Sequence, residues 1–214
     1  MCLAIYKPKG QVIPEQNLQS GFYSNCSGSG FMFAENGVMK VVKGLFSFKE
    51  FYKHLTDVGQ ARHAMAIHFR AATHGPVNAE NCHPFSMLDN KFAMIHNGIF
   101  RVPIRKTELS DTGNACIQIF EPAIKAGTYK DVKKTYQHPL WGWGAVVLMS
   151  GAGEHLIYNE EMGHWHDGVW YSNHAYEYGQ YGQARDYFKQ RTEAEYKPTA
   201  RPGYGGVFMG CDCD

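Results

Sequence analysis

The apolar residues of this chain come in short runs stopped by turn residues, a pattern that limits it to a layered fold with several strands. Residues 2–6 (CLAIY) meet Lys7, Pro8, Lys9 and Gly10, and residues 144–149 and 156–158 flank the turn SGAG at 150–153 as a hairpin. Further strands are expected at 31–33, after the glycine-rich loop 24–30, and at 62–69, 91–96 and 168–172. None of these runs approaches the roughly 20 apolar residues that cross a bilayer. Two segments have helical spacing instead. Ser47 and Glu50 make a capping box ahead of Phe48, Phe51, Tyr52 and Leu55, predicting a helix over 48–58 that closes near Gly59. A second helix opens at Ser110 or Asp111, carries Ile117, Phe120 and Ile124 on one face, meets Pro122 as a kink, and stops at Gly127. Strands with two helices in mid-chain point to an α+β or layered α/β architecture.

Lys and Arg number 21 against 20 Asp and Glu, so no basic excess favours nucleic acid. Lys7, Pro8 and Lys9 interrupt the one candidate for a secretory leader, and a cytoplasmic, membrane-free protein is expected. The 214 residues suit one core with a tail: a domain over 1–180, then an extension over 181–214 with a short helix near 183–195 and a flexible end.

Four segments place polar residues beside buried strands: HFRAATHG at 68–75, NCHPF at 81–85, HNG at 96–98 and SDT at 110–112. Burying such groups costs free energy unless they are used. Each has an ordinary reading alone. HNG suits a turn, SDT a helix cap, and Arg70 a partner for any nearby carboxylate.

Taken in order, Cys2, H-x-R-x-A-T-x-G, N-x-H-P, H-N-G and S-D-T resemble the class II glutamine amidotransferases, which are N-terminal-nucleophile hydrolases. The motifs cover residues 1 to about 115, and the likeness extends weakly to about 175, where Trp170-Tyr-Ser-Asn173 sits in the place of a late strand carrying a small hydroxyl residue. The resemblance implies a four-layer αββα sandwich of two antiparallel sheets flanked by helices. It also implies a glutaminase that attacks the side-chain amide of L-glutamine through a Cys2 thioester. Removal of Met1 leaves Cys2 with a free α-amine, whose pKa near ~7.7–8.0 lies close to the thiol's ~8.5, so the amine can take the thiol proton.

By the same resemblance the Asn97 side chain and the Gly98 N–H form the oxyanion hole. Arg70 clamps the α-carboxylate, Asp111 accepts the α-ammonium, and Thr73, His74 and His83 line the glutamine pocket. No metal or cofactor is implied, and the ammonia acceptor is expected on a partner protein in trans, because residues 115–214 hold no phosphate loop or nucleotide fingerprint. An N-terminal-Cys amidase on another amide, or a binding module without turnover, are the alternatives. The sequence departs from the family at Ala71, where an aromatic is common, at Gly113, where an acid is common, and in the short spacing from Gly98 to Asp111.

His164 and His166, with His155, His174, Cys211 and Cys213 as helpers, could be read as metal ligands. Without finger or helix spacing they read as a polar loop under aromatic cover. Cys26, Cys82 and Cys116 read as small fillers. The tyrosines at 171–187 fit either a partner surface or the domain's own edge.

Overall fold

The computed structural model describes residues 2–72, 75–132 and 143–177. The elements run β1 (Leu3–Lys7), α1 (Glu15–Ser24), β2 (Ser29–Glu35), β3 (Val38–Leu45), α2 (Phe48–Val58), β4 (Met65–Phe69), β5 (Phe85–Met87) and β6 (Phe92–Ile99). After these come α3 (Asp111–Ala115), α4 (Glu121–Lys125), β7 (Trp143–Ser150), β8 (His155–Tyr158), β9 (His164–His166) and β10 (Val169–Tyr171). Two antiparallel sheets result, with strand orders β3-β2-β4-β1-β10-β9 and β5-β6-β7-β8.

Strand alternation builds the layers. Leu3 and Ile5 of β1 face outward, where they pack with Leu18 and Phe22 of α1 and Phe51 and Leu55 of α2. Their neighbours Ala4 and Tyr6 face inward, onto Ala93 and Ile95 of β6 and Ala145 and Val147 of β7. On the far side of the second sheet Met94, Val146 and Leu148 meet Ile119, Phe120 and Ala123. The protein is therefore an α+β, four-layer αββα sandwich. Alanines at 4, 66, 93 and 145 line the seam between the sheets, where small side chains let them approach.

The α2 cap is as the sequence predicts, with Ser47 Oγ accepting from Glu50 N at 3.2 Å. Helices α3 and α4 form one path joined by a π-helical turn, Cys116–Phe120, just before Pro122, which has no N–H to donate. Three expectations are corrected. β4 begins at Met65, because Gln60–Arg62 form a 3₁₀ turn. The HNG segment is no turn: β6 runs on to Ile99, with Asn97 opposite Ala145 and Gly98 opposite Gly144. Finally, α1, β3, β5 and β9 form where the sequence predicts no element, and β9 replaces the polar loop expected at His164–His166, because it pairs with β10. The segments expected at 183–195 and 197–214 lie outside the described residues. Among the described residues no helix is long and apolar enough to cross a membrane.

Candidate active site

Strand register decides where the polar motifs meet. Leu3 pairs with Phe69, so the residues beyond these strand ends, Cys2 on one side and Arg70 and Ala71 on the other, become neighbours. The Ala71 N–H donates to Cys2 Sγ at 3.3 Å, and the thiol faces the Ala71 carbonyl at 3.4 Å. On the other flank of β1, Ser172 N donates to the Ala4 carbonyl at 2.9 Å, and Asn173 Nδ2 donates to the Cys2 carbonyl at 2.7 Å.

A narrow cleft opens there, with Cys2, Arg70, Ala71, His83, His96, Gly98, Ser110, Asp111 and Thr112 on its wall. Its volume is about 20 Å³, room for one water-sized molecule. Of the residues singled out from sequence, Cys2, Arg70, His83, Gly98 and Asp111 converge on it. Asn97 does not line it. That residue is buried, and its Nδ2 donates to Ser172 Oγ at 2.9 Å, leaving a second amide hydrogen. Thr73 and His74 lie outside the described residues.

The motifs also hold each other. Asn81 of N-x-H-P accepts from Ser110 N through Oδ1 at 2.6 Å and donates to the Glu108 carbonyl at 2.9 Å. Ser110 in turn caps α3, accepting from Gly113 N at 3.3 Å, which sets Asp111 at the first helical position. Asp111 Oδ2 accepts from Phe100 N at 2.7 Å. Arg70 Nη1 donates to the Pro76 carbonyl at 2.9 Å. Gly113 has a packing reason: a Cβ there would lie 3.1 Å from Leu109 and Phe85 atoms, so an acidic side chain fits poorly.

Glycines permit the close contacts. A Cβ on Gly98, at φ +155°, would fall 2.0 Å from the Trp143 carbonyl, and Gly144 opposite is equally crowded by the Asn97 carbonyl. Gly28 makes room for Cys82, whose buried thiol donates to the Asn78 carbonyl at 3.3 Å. Cys82 and Cys116 are buried thiols as expected, whereas Cys26 is disulfide-bonded rather than a free filler.

Burial raises the Cys2 thiol above its usual pKa, opposed by the Ala71 N–H and the Arg70 charge. Burial also lowers Arg70, which Cys82, Cys2 and Asp111 partly offset; a guanidinium stays charged regardless. Three histidines cluster at the cleft, His83 and His96 on its wall and His68 behind them, with the His68 and His83 rings 4.0 Å apart. His68 Nε2 meets the His96 carbonyl at 3.0 Å, and His96 Nδ1 meets Thr112 Oγ1 at 3.0 Å. Burial pushes His68 and His96 down to about 3 and His83 well below its ordinary value, so all three are neutral at pH 7.

Ser172 and Asn173, which anchor Asn97 and Cys2, were not assigned site roles from sequence. The signal was a Ser-Asn pair closing a late strand, the same polar-at-strand-end pattern as the other motifs.

No protein-family profile matches the sequence, and no curated protein matches it in sequence. Solved structures do resemble it. The glutamine phosphoribosylpyrophosphate amidotransferase of Bacillus subtilis superposes with a TM-score of 0.56 at 15% identity, over 84% of this chain and 44% of that one. The allosteric regulatory enzyme of purine biosynthesis gives 0.54 at 16% identity, over 80% and 41%. A protein described as a predicted glutamine amidotransferase from Pseudomonas aeruginosa gives 0.43 at 12% identity, over 79% and 78%. The chain thus spans less than half the length of the first two, and what it shares with them is the fold.

Proposed function

We propose that this chain is a class II glutamine amidotransferase subunit, whose Cys2, once exposed as the N-terminal residue, hydrolyses the side-chain amide of glutamine and releases ammonia for an acceptor on another protein. The observation that carries the reading is one cleft with a thiol, a guanidinium, a glycine strand edge and a carboxylate on its wall, at a strand end of a fold shared with glutamine amidotransferases.

The chemistry runs as follows. The α-amine of Cys2 takes the thiol proton, and the thiolate attacks the amide carbon. The oxyanion is held by the Gly98 N–H on the cleft wall and, once the cleft widens to reach it, by the remaining hydrogen of Asn97 Nδ2. Collapse, with the Cys2 α-ammonium returning its proton to the leaving nitrogen, gives the γ-glutamyl thioester and ammonia. Water then releases glutamate. Arg70 offers the planar fork that suits the α-carboxylate, and Asp111 the charge that suits the α-ammonium. His83, neutral and weakly basic, serves binding rather than proton transfer. Admission of a whole amino acid requires the cleft to widen beyond its volume of about 20 Å³. We assign Thr73 and His74 to the same pocket and residues 1–180 to the catalytic unit.

The test combines ammonia release from glutamine with labelling by a glutamine-like electrophile. Ammonia release lost in Cys2→Ala, and label on the peptide beginning at Cys2, support the assignment. Label on Cys82, or an unchanged rate in Cys2→Ala, overturns it.

A further inference from the structure

Away from the cleft, at the β9 edge of the larger sheet, a second set of ligating side chains converges. His164 on β9, His174 and Glu177 each present one donor atom, and the three atoms lie within 4.8 Å of one another. The pairing His164↔Tyr171 brings β9 against β10, and the chain after β10 turns back over that pair. The turn is fixed by Ala175 N donating to Asn173 Oδ1 at 3.0 Å and by Glu177 N donating to the His174 carbonyl at 3.0 Å. Tyr176 pins it from below: its ring is buried, stacks on Tyr171 at 3.7 Å, and carries a hydroxyl 3.0 Å from His164 Nε2.

The donor set is two imidazoles and one carboxylate, with His174 Nδ1 already 3.1 Å from Glu177 Oε1. Two nitrogens and a carboxylate oxygen suit zinc, which binds them at about 2.0–2.2 Å and accepts water in a fourth position. The His164 and His174 rings stack at 4.0 Å with planes 11° apart, so one ring must turn to bring both lone pairs onto one ion. His174 is the ring free to do so, its side chain being 66% exposed, while the backbone of both segments stays fixed. The Tyr176 hydroxyl at His164 is the kind of outer hydrogen bond that orients a metal-bound imidazole. The remaining histidines of the loop are engaged elsewhere: His155 stacks on Tyr6 at 4.2 Å, and His166 lies 3.4 Å from Asp167.

We infer that His164, His174 and Glu177 form a zinc site that braces the 173–177 turn against β9. The turn begins at Asn173, which holds the Cys2 carbonyl, so the ion sits on the support of the nucleophile's strand rather than in its cleft. The site is independent of glutamine chemistry and is tested without it.

Zinc chloride is titrated calorimetrically into the full chain and into His174→Ala and Glu177→Gln, and zinc X-ray absorption is recorded on the loaded wild-type protein. Exposed His174 and half-buried Glu177 sit at the end of a surface turn, so their replacement is expected to leave the fold intact, which circular dichroism checks. The expected result is one equivalent bound through nitrogen and oxygen, weakened at least about tenfold by each substitution. No binding, equal affinity and stoichiometry in all three proteins, or an absorption spectrum showing only sulfur ligands would overturn the site.

Discussion

Ser172 Oγ accepts from Ala4 N and Asn97 Nδ2, both at 2.9 Å, so one hydroxyl ties the strand of the proposed nucleophile, Cys2, to the residue proposed as oxyanion donor. Ser172→Ala leaves a buried N–H and a buried amide without that acceptor. A loss of about 1–3 kcal/mol in unfolding free energy is expected from urea titration, with a fall in kcat for ammonia release. Asn97→Ala removes the donor itself and should lower kcat by about 10²–10³. An unchanged kcat would place the oxyanion elsewhere. At the recognition end, Asp111→Asn keeps an acceptor for Phe100 N but deletes the charge, and Arg70→Lys keeps charge but deletes the fork. Both should lower kcat/KM for glutamine far more than they lower Tm. Native kcat/KM in both would mean that the substrate is not a free α-amino acid, and would favour another amide.

Among the elements, the β6–β7 pair carries the site's tightest fit, because Gly98 and Gly144 face each other with no room for a Cβ on either. Gly144→Ala, at φ +133° and outside the proposed chemistry, should force the strands apart at Asn97. Overpacking of this kind costs about 1–3 kcal/mol, visible as a lower urea midpoint, and activity should fall with it. Equal midpoints would show that the pair can yield. The same strand shows how far the sequence could be read. The run of apolar residues announced β6, but Asn-Gly suits a turn, and only pairing with β7 carries HNG on as strand. At Asn36-Gly37 the same dipeptide does make a turn, with positive φ at both residues, between β2 and β3. That signal was present, but Lys40 and Lys43 on a half-exposed edge blurred the alternation of β3. Helix α1 was harder still: Pro14 gives it no side-chain cap, and Gly21 interrupts its few apolar residues. Helix α2, with a capping box and a full apolar face, was legible to its end residues.

For the molecule as a whole, buried neutral histidines join the sheets near the site, since His68 on the larger sheet donates to the His96 carbonyl on the smaller. An unfolded histidine titrates near ~6.5, whereas folded His68 and His96 are pushed down to about 3. Between those values the unfolded chain binds protons that the folded chain refuses. Stability is therefore level above about pH 6.5 and falls below it, by up to ~1.4 kcal/mol per pH unit for each histidine. Melting curves at pH 7.5 and 5 should differ accordingly, and the two imidazole NMR signals should not titrate above pH 5. Titration near 6.5 would show these rings to be open to water. The convergence of β1, β4, β6 and β10 on one end of the sandwich underlies both this cluster and the cleft. From sequence its members were legible as motifs, but that Ser172 and Asn173 hold Ala4, Asn97 and Cys2 was not, because those contacts come from strand pairing across more than 160 residues.

The central claim is that the Cys2 α-amine is the base, and intact mass measured alongside ammonia release tests it most directly. Protein that begins at Cys2 is separated from protein that retains Met1, and each is supplied with glutamine. The account predicts that only the form lighter by one methionine releases ammonia, because a peptide nitrogen on Cys2 cannot take the thiol proton. Equal turnover by protein shown to retain Met1 would contradict it.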